Sequence, residues 1–175
     1  MKRSFLHKLT AILIVIAIGV LMFLTSCRND GSGGTYSISF TVDGTHVEFT
    51  DQHLLTATFN QSGTQHTGSI VGTKGIGTSS VAINLFDSTA IDANTYVNQE
   101  LVGTSLVGAI ITYIDLNGLS LSQTIVSGGA SITVEITEIT DKTVRGNFFG
   151  TLASTTSQVA EVPLTDGQFL VPIGE

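Results

Sequence analysis

Two hydrophobic patterns divide the chain. Residues 9–24 run apolar almost without a break, from Leu9 through Ile12, Ile14, Ile16 and Ile18 to Leu24. From Thr35 onward the pattern switches to period two, punctuated by turn residues roughly every 8–12 positions, which predicts an all-β, antiparallel fold of short strands. Ile38, Phe40 and Val42 alternate with Ser37, Ser39 and Thr41, and Val47 and Phe49 repeat the alternation beyond Asp43-Gly44. An Asp-Gly pair supplies the positive φ angles of a type I′ turn, so a hairpin is expected there. Further strands are expected at 54–60, 66–72, 79–86, 105–115, 119–126, 131–139, 143–152, 158–164 and 168–173. Asn117-Gly118 reads as a second hairpin, and Ser127-Gly128-Gly129, Asp141-Lys142 and Asp166-Gly167 read as three more turns. Residues 106–114 are apolar on both alternating sets, which predicts a central strand or one covered on both faces. No stretch sustains the 3.6-residue period of a helix. The expected architecture is one antiparallel β-sandwich over residues 35–175, with a flattened β-barrel as the alternative.

The apolar run near the start has a different purpose. Lys2, Arg3 and Lys8 precede or flank it and no acid does. A cationic start followed by an apolar stretch is the pattern of a secretory signal, and the run is slightly short of the roughly 20 residues of a spanning helix. Leu24-Thr25-Ser26-Cys27 follows, matching a bacterial lipobox: an aliphatic residue, two small residues that fit a cleavage pocket, then a cysteine. Residues 1–26 are therefore expected to be a cleaved lipoprotein signal peptide, with Cys27 as the lipidation site. The alternative is an uncleaved anchor with an incidental cysteine. Two or more acyl chains hold a protein stably at a membrane, at about 0.8 kcal/mol per buried CH₂. Residues 27–34 then form a Gly/Ser-rich tether. Arg28 stands where enterobacterial lipoproteins retained at the inner membrane carry Asp, so the expected location is the outer membrane, on either its periplasmic or its exterior side.

Charge sharpens this picture. The whole chain has 7 Lys+Arg against 14 Asp+Glu, a net charge of −7. Removal of the signal leaves Arg28, Lys74, Lys142 and Arg145 against all 14 acids, so the mature side chains sum to −10. Binding to nucleic acid needs clustered cations, and this balance argues against it. The single cysteine excludes an internal disulfide and a cysteine-rich zinc site.

The order of the motifs resembles a family. Val42-Asp43-Gly44 is followed by Val47-Glu48-Phe49, Ile83-Asn84-Leu85 and Thr95-Tyr96. Val144-Arg145-Gly146-Asn147-Phe148 and Gly167-Gln168-Phe169-Leu170-Val171 come later. This series is similar to small secreted lipoproteins of Bacteroidota classed as domains of unknown function, over roughly residues 35–173. The resemblance implies a β-sandwich lipoprotein at the outer membrane and brings no active residues with it. Asn94 stands where that pattern often has Gly.

Candidate chemistry is sparse. Asp43, His46, Glu48, Asp51 and His53 form the densest polar cluster, and His46, Glu48 and His53 are the candidate metal ligands. The competing reading is a solvated face opposite Val47 and Phe49, since no H-x-x-x-H or H-E-x-x-H spacing is present. Residues 72–79 mimic a phosphate loop in composition, but the Lys precedes the last Gly and no helix follows, so a hairpin loop is expected. His46, His53 and His66 leave a Ser-His-Asp triad open by counting, without a G-x-S-x-G elbow to support it. Glu135 and Glu138 are expected on opposite faces of a regular strand, which makes them poor partners for glycoside hydrolysis.

A sugar-stacking face would draw on Tyr36, Tyr96 and Tyr113, because the chain has no Trp. Phe148 and Phe149 are adjacent, so one of them must leave the core, to lie under a loop or in an exposed patch. The leading expectation is a non-enzymatic, lipid-anchored binding or structural accessory of the cell envelope, without a cofactor. Its partners are the membrane, through the anchor, and an envelope protein or a glycan. A glycan- or small-ligand-binding module of an uptake system is the second reading, and a metal-dependent hydrolase the third.

Overall fold

Strand alternation is carried through into twelve β-strands, seen in a computed structural model that describes residues 35–50, 53–76, 78–117, 120–122, 130–154 and 161–174. They are β1 (Ser37–Val42), β2 (Thr45–Thr50), β3 (Leu54–Ser62), β4 (Gln65–Thr73), β5 (Ser80–Asp87) and β6 (Thr95–Val97). The second half holds β7 (Glu100–Val102), β8 (Ser105–Ile114), β9 (Ser120–Ser122), β10 (Ile132–Ile139), β11 (Thr143–Ser154) and β12 (Val162–Pro172). No helix occurs among the described residues. The expected export signal, Cys27 and the tether lie outside them, as do Asp51, Gly118 and the turn at Ser127-Gly128-Gly129.

The strands form one antiparallel sheet in the order β2-β1-β12-β11-β9-β8-β5-β4-β3, nearly closed into a barrel-like shape. The long strand β11 makes the sheet continuous. Its first part pairs with β10 and β12, and its last residues Ala153 and Ser154 pair with β9. The two faces so joined pack across a shared core, which is how sandwich and flattened barrel merge in this chain. Near the seam, β3 meets the C-terminal end of β12 through a bridge between Ala57 and Ile173 and a Gly174 N–H donated to the Ala57 carbonyl at 2.8 Å.

The core is built from the inward half of each alternation. Ile38, Phe40, Phe49, Ile70, Ile83, Leu85, Ile111, Phe148, Leu152 and Val171 are all buried in one cluster. Phe40 lies at its centre, with Tyr113 edge-on at 5.3 Å and Phe148 at 5.6 Å between ring centroids. β8 is central, between β5 and β9, as its two-sided apolar pattern predicts. The Asp43-Gly44 hairpin also forms, with φ of 49° and 71° at its two central residues.

Two features of the fold differ from the sequence reading. Asp166-Gly167 is not a turn between strands, since β12 runs through it as an eleven-residue strand. Ser39 pairs with Gln168 but Thr41 with Thr165, so β12 carries one extra residue there, a bulge with Asp166 at φ 55°. Gly167 is needed beside it, because a Cβ at that position would lie 2.2 Å from the Phe148 carbonyl oxygen. A bulge and a turn draw on the same residues for the same positive φ, which is why the two were confused.

The second difference is that β6 and β7 are strands of three residues each, too short to show an alternating pattern. Nearby, a side chain ties the start of β4 to the end of β5 and the start of β8. The Gln65 amide donates to the carbonyls of Asp87 and Leu106 at 2.9 Å each and accepts from the Leu106 N–H at 2.8 Å. It thereby acts as an extra rung of backbone ladder.

Candidate functional site

The outward half of the alternation builds the site. Residues paired directly across antiparallel strands project to the same face. One such row crosses six strands: Thr95 on β6, Glu135 on β10, Asn147 on β11, Gln168 on β12, Ser39 on β1 and Glu48 on β2. Every member is polar. With neighbouring strands about 4.8 Å apart, the row is about 24 Å long. A second row beside it pairs Arg145 with Leu170, Ser37 and Thr50. A third, on the other side, pairs Phe149 with Thr133 and Val97.

Between the first two rows lies a solvent-open depression of about 390 Å³, lined by Ser37, Ser39, Arg145, Asn147, Gln168 and the neighbouring Thr137, among others. Asn147 donates through Nδ2 to Glu135 Oε2 at 3.4 Å, and Thr137 donates through its hydroxyl to the Arg145 carbonyl at 3.2 Å. Arg145 itself is exposed. Phe149 stands two residues beyond Asn147 on the same face and is 53% exposed, whereas Phe148 between them is fully buried. The adjacent Phe pair therefore resolves into one core residue and one exposed ring.

This arrangement offers a guanidinium, two amides, hydroxyls and one bare aromatic ring on a rigid sheet. It offers reversible binding through hydrogen bonds and ring contact. No family model, curated protein or solved structure matches the chain.

Of the metal candidates singled out from the sequence, Glu48 ends the polar row on β2, while His46 and His53 fall outside it. His46 and Glu48 are exposed on β2. His53 is partly buried and turned to other work: its Nδ1 accepts the Thr50 N–H at 2.9 Å and its ring stands edge-on to Phe49 at 6.2 Å. Among the described residues no three His, Cys, Asp or Glu side chains are grouped to hold a metal. β4 runs through Gly72 and Thr73 and pairs antiparallel with β5 as a hairpin, and Lys74 Nζ beyond it lies 5.4 Å from the centroid of the Phe49 ring.

The buried serines have partners other than imidazole. Ser122 shares a hydrogen bond with Thr112 at 3.1 Å, and Ser79 bonds the Tyr113 hydroxyl. Glu135 and Glu138 do not sit on opposite faces as a regular strand would place them. A register shift between Ile136 and Glu138 leaves both exposed. Tyr96 and Tyr113 are core residues rather than platforms, and Tyr36 packs partly buried against the core. Burial lifts both the Tyr96 and Tyr113 phenols above the ordinary tyrosine value, with Asp92 and Asp115 respectively adding to the rise and hydrogen bonds opposing it.

Arg145, Asn147, Gln168 and Ser39 were not singled out in the sequence as site residues. Arg145-Gly146-Asn147 shows the right alternation, but the pairing that aligns Asn147 with Gln168 depends on the bulge at Asp166. Long polar residues at alternating positions of two adjacent strands would have been the available signal.

Proposed function

We propose that this protein is a lipid-anchored cell-envelope binding module, non-enzymatic, whose outer sheet face holds a ligand while Cys27 holds the membrane. The depression at Ser39, Arg145, Asn147 and Gln168 carries the binding half of this reading, because it gathers hydrogen-bonding groups in one solvent-open hollow. The cationic start, the apolar run and Leu24-Thr25-Ser26-Cys27 support the anchoring half. The motif order shared with Bacteroidota lipoproteins supports an outer-membrane location. The Gly/Ser-rich composition between Cys27 and Thr35 supports a tether between the anchor and the β-domain.

Cell fractionation tests the anchor. The native chain is expected in the membrane fraction and Cys27→Ala in the soluble fraction. Equal membrane retention of both would refute the lipid anchor.

A further inference from the structure

We infer that the outer face of β10, β11, β12 and β1 is a binding site for a neutral glycan chain, which lies along the polar row with one sugar ring on Phe149. The inference rests on the binding-module reading above and names its ligand class. Three observations carry it. The row Glu135–Asn147–Gln168–Ser39 presents carboxylate, amide and hydroxyl groups in one line, the mixed donors and acceptors that vicinal hydroxyls require. Phe149, half exposed beside Asn147, offers an apolar ring to the C–H face of a sugar. The four row residues span about 14 Å across β10, β11, β12 and β1, and the row continues to Thr95 and Glu48 for about 24 Å in all, a length that suits a chain of several sugar units better than a small metabolite.

Charge selects neutral over anionic ligands. Arg145 on this face is paired directly with the exposed Glu138, and Glu135, Glu48 and Asp166 are further exposed acids on β10, β2 and β12. A carboxylate or phosphate ligand would gain one guanidinium that already faces Glu138 and would meet three more acids along the strands of the row. Hydroxyl groups can use both signs, since carboxylates accept from them and guanidinium donates to them.

The test is affinity gel electrophoresis of the full chain in detergent, with an α-glucan, a β-glucan, a xylan, a mannan and, as the anionic comparison, polygalacturonate cast in separate gels. At least one neutral polysaccharide should retard the protein. Phe149→Ala and Gln168→Ala should each weaken that retardation about 5-fold or more, while Leu54→Ala, which removes an exposed side chain on β3, should leave it unchanged. Retardation by polygalacturonate alone, by none of the five, or equally for native chain and Phe149→Ala would overturn the inference. Failure here with Cys27→Ala still released from membranes would remove the glycan and keep the anchored protein.

Discussion

Adjacent phenylalanines with opposite fates give the most discriminating stability experiment. Phe148 is fully buried, 5.6 Å from the Phe40 ring and 6.2 Å from the Phe169 ring. Removing its ring forfeits a transfer free energy of about 1.5–3 kcal/mol. It also leaves a cavity in a wall that Gly167 already holds tight, since a Cβ on Gly167 would sit 2.6 Å from the Phe148 ring. Together these terms put Phe148→Ala at about 3–5 kcal/mol destabilising. That is a large share of the roughly 5–15 kcal/mol by which a domain is stable. Phe149→Ala removes a ring that is 53% exposed and should cost no more than about 1 kcal/mol. Urea unfolding followed by circular dichroism reads both midpoints, and Phe148→Ala should also melt roughly 10–20 °C lower. Equal losses for the two variants, or a larger loss for Phe149→Ala, would show that the strand faces the other way and would refute the site along with the core.

Two further outcomes follow from single side chains. Gln65→Ala should cost about 1–3 kcal/mol and make the Leu106 amide exchange with solvent markedly faster, measured by hydrogen exchange, because that N–H loses the Gln65 oxygen. The raised phenols of Tyr96 and Tyr113 make stability depend on alkaline pH. The folded state holds their protons more tightly than the unfolded chain, so their contribution is whole below about pH 10 and is lost as pH rises through the folded values. Ultraviolet titration should find the Tyr96 and Tyr113 phenols ionising above the ordinary tyrosine value, with the melting temperature falling over the same range.

The core was legible in the sequence because burial follows alternation. Ile38, Phe40 and Val42, or Ile132, Val134 and Ile136, need only a period of two to be placed. β12 was read as two strands because Asp166-Gly167 has the chemistry of a turn, and only its neighbours β1 and β11 decide that the chain goes straight through with one residue extra. The candidate site was illegible for the same reason. Its row joins residues from β6, β10, β11, β12, β1 and β2, distant in sequence, whose alignment is a property of register. His46, Glu48 and His53 looked richer because they are close in sequence, yet two are exposed on an edge strand and the third is engaged by Thr50.

The intact mass of the chain purified from native membranes tests the proposed lipid anchor at Cys27 most directly. The expected species begins at Cys27 and exceeds its peptide mass by a diacylglyceryl group and an amide-linked acyl chain. A species that begins at Met1, or an unmodified Cys27, would contradict it.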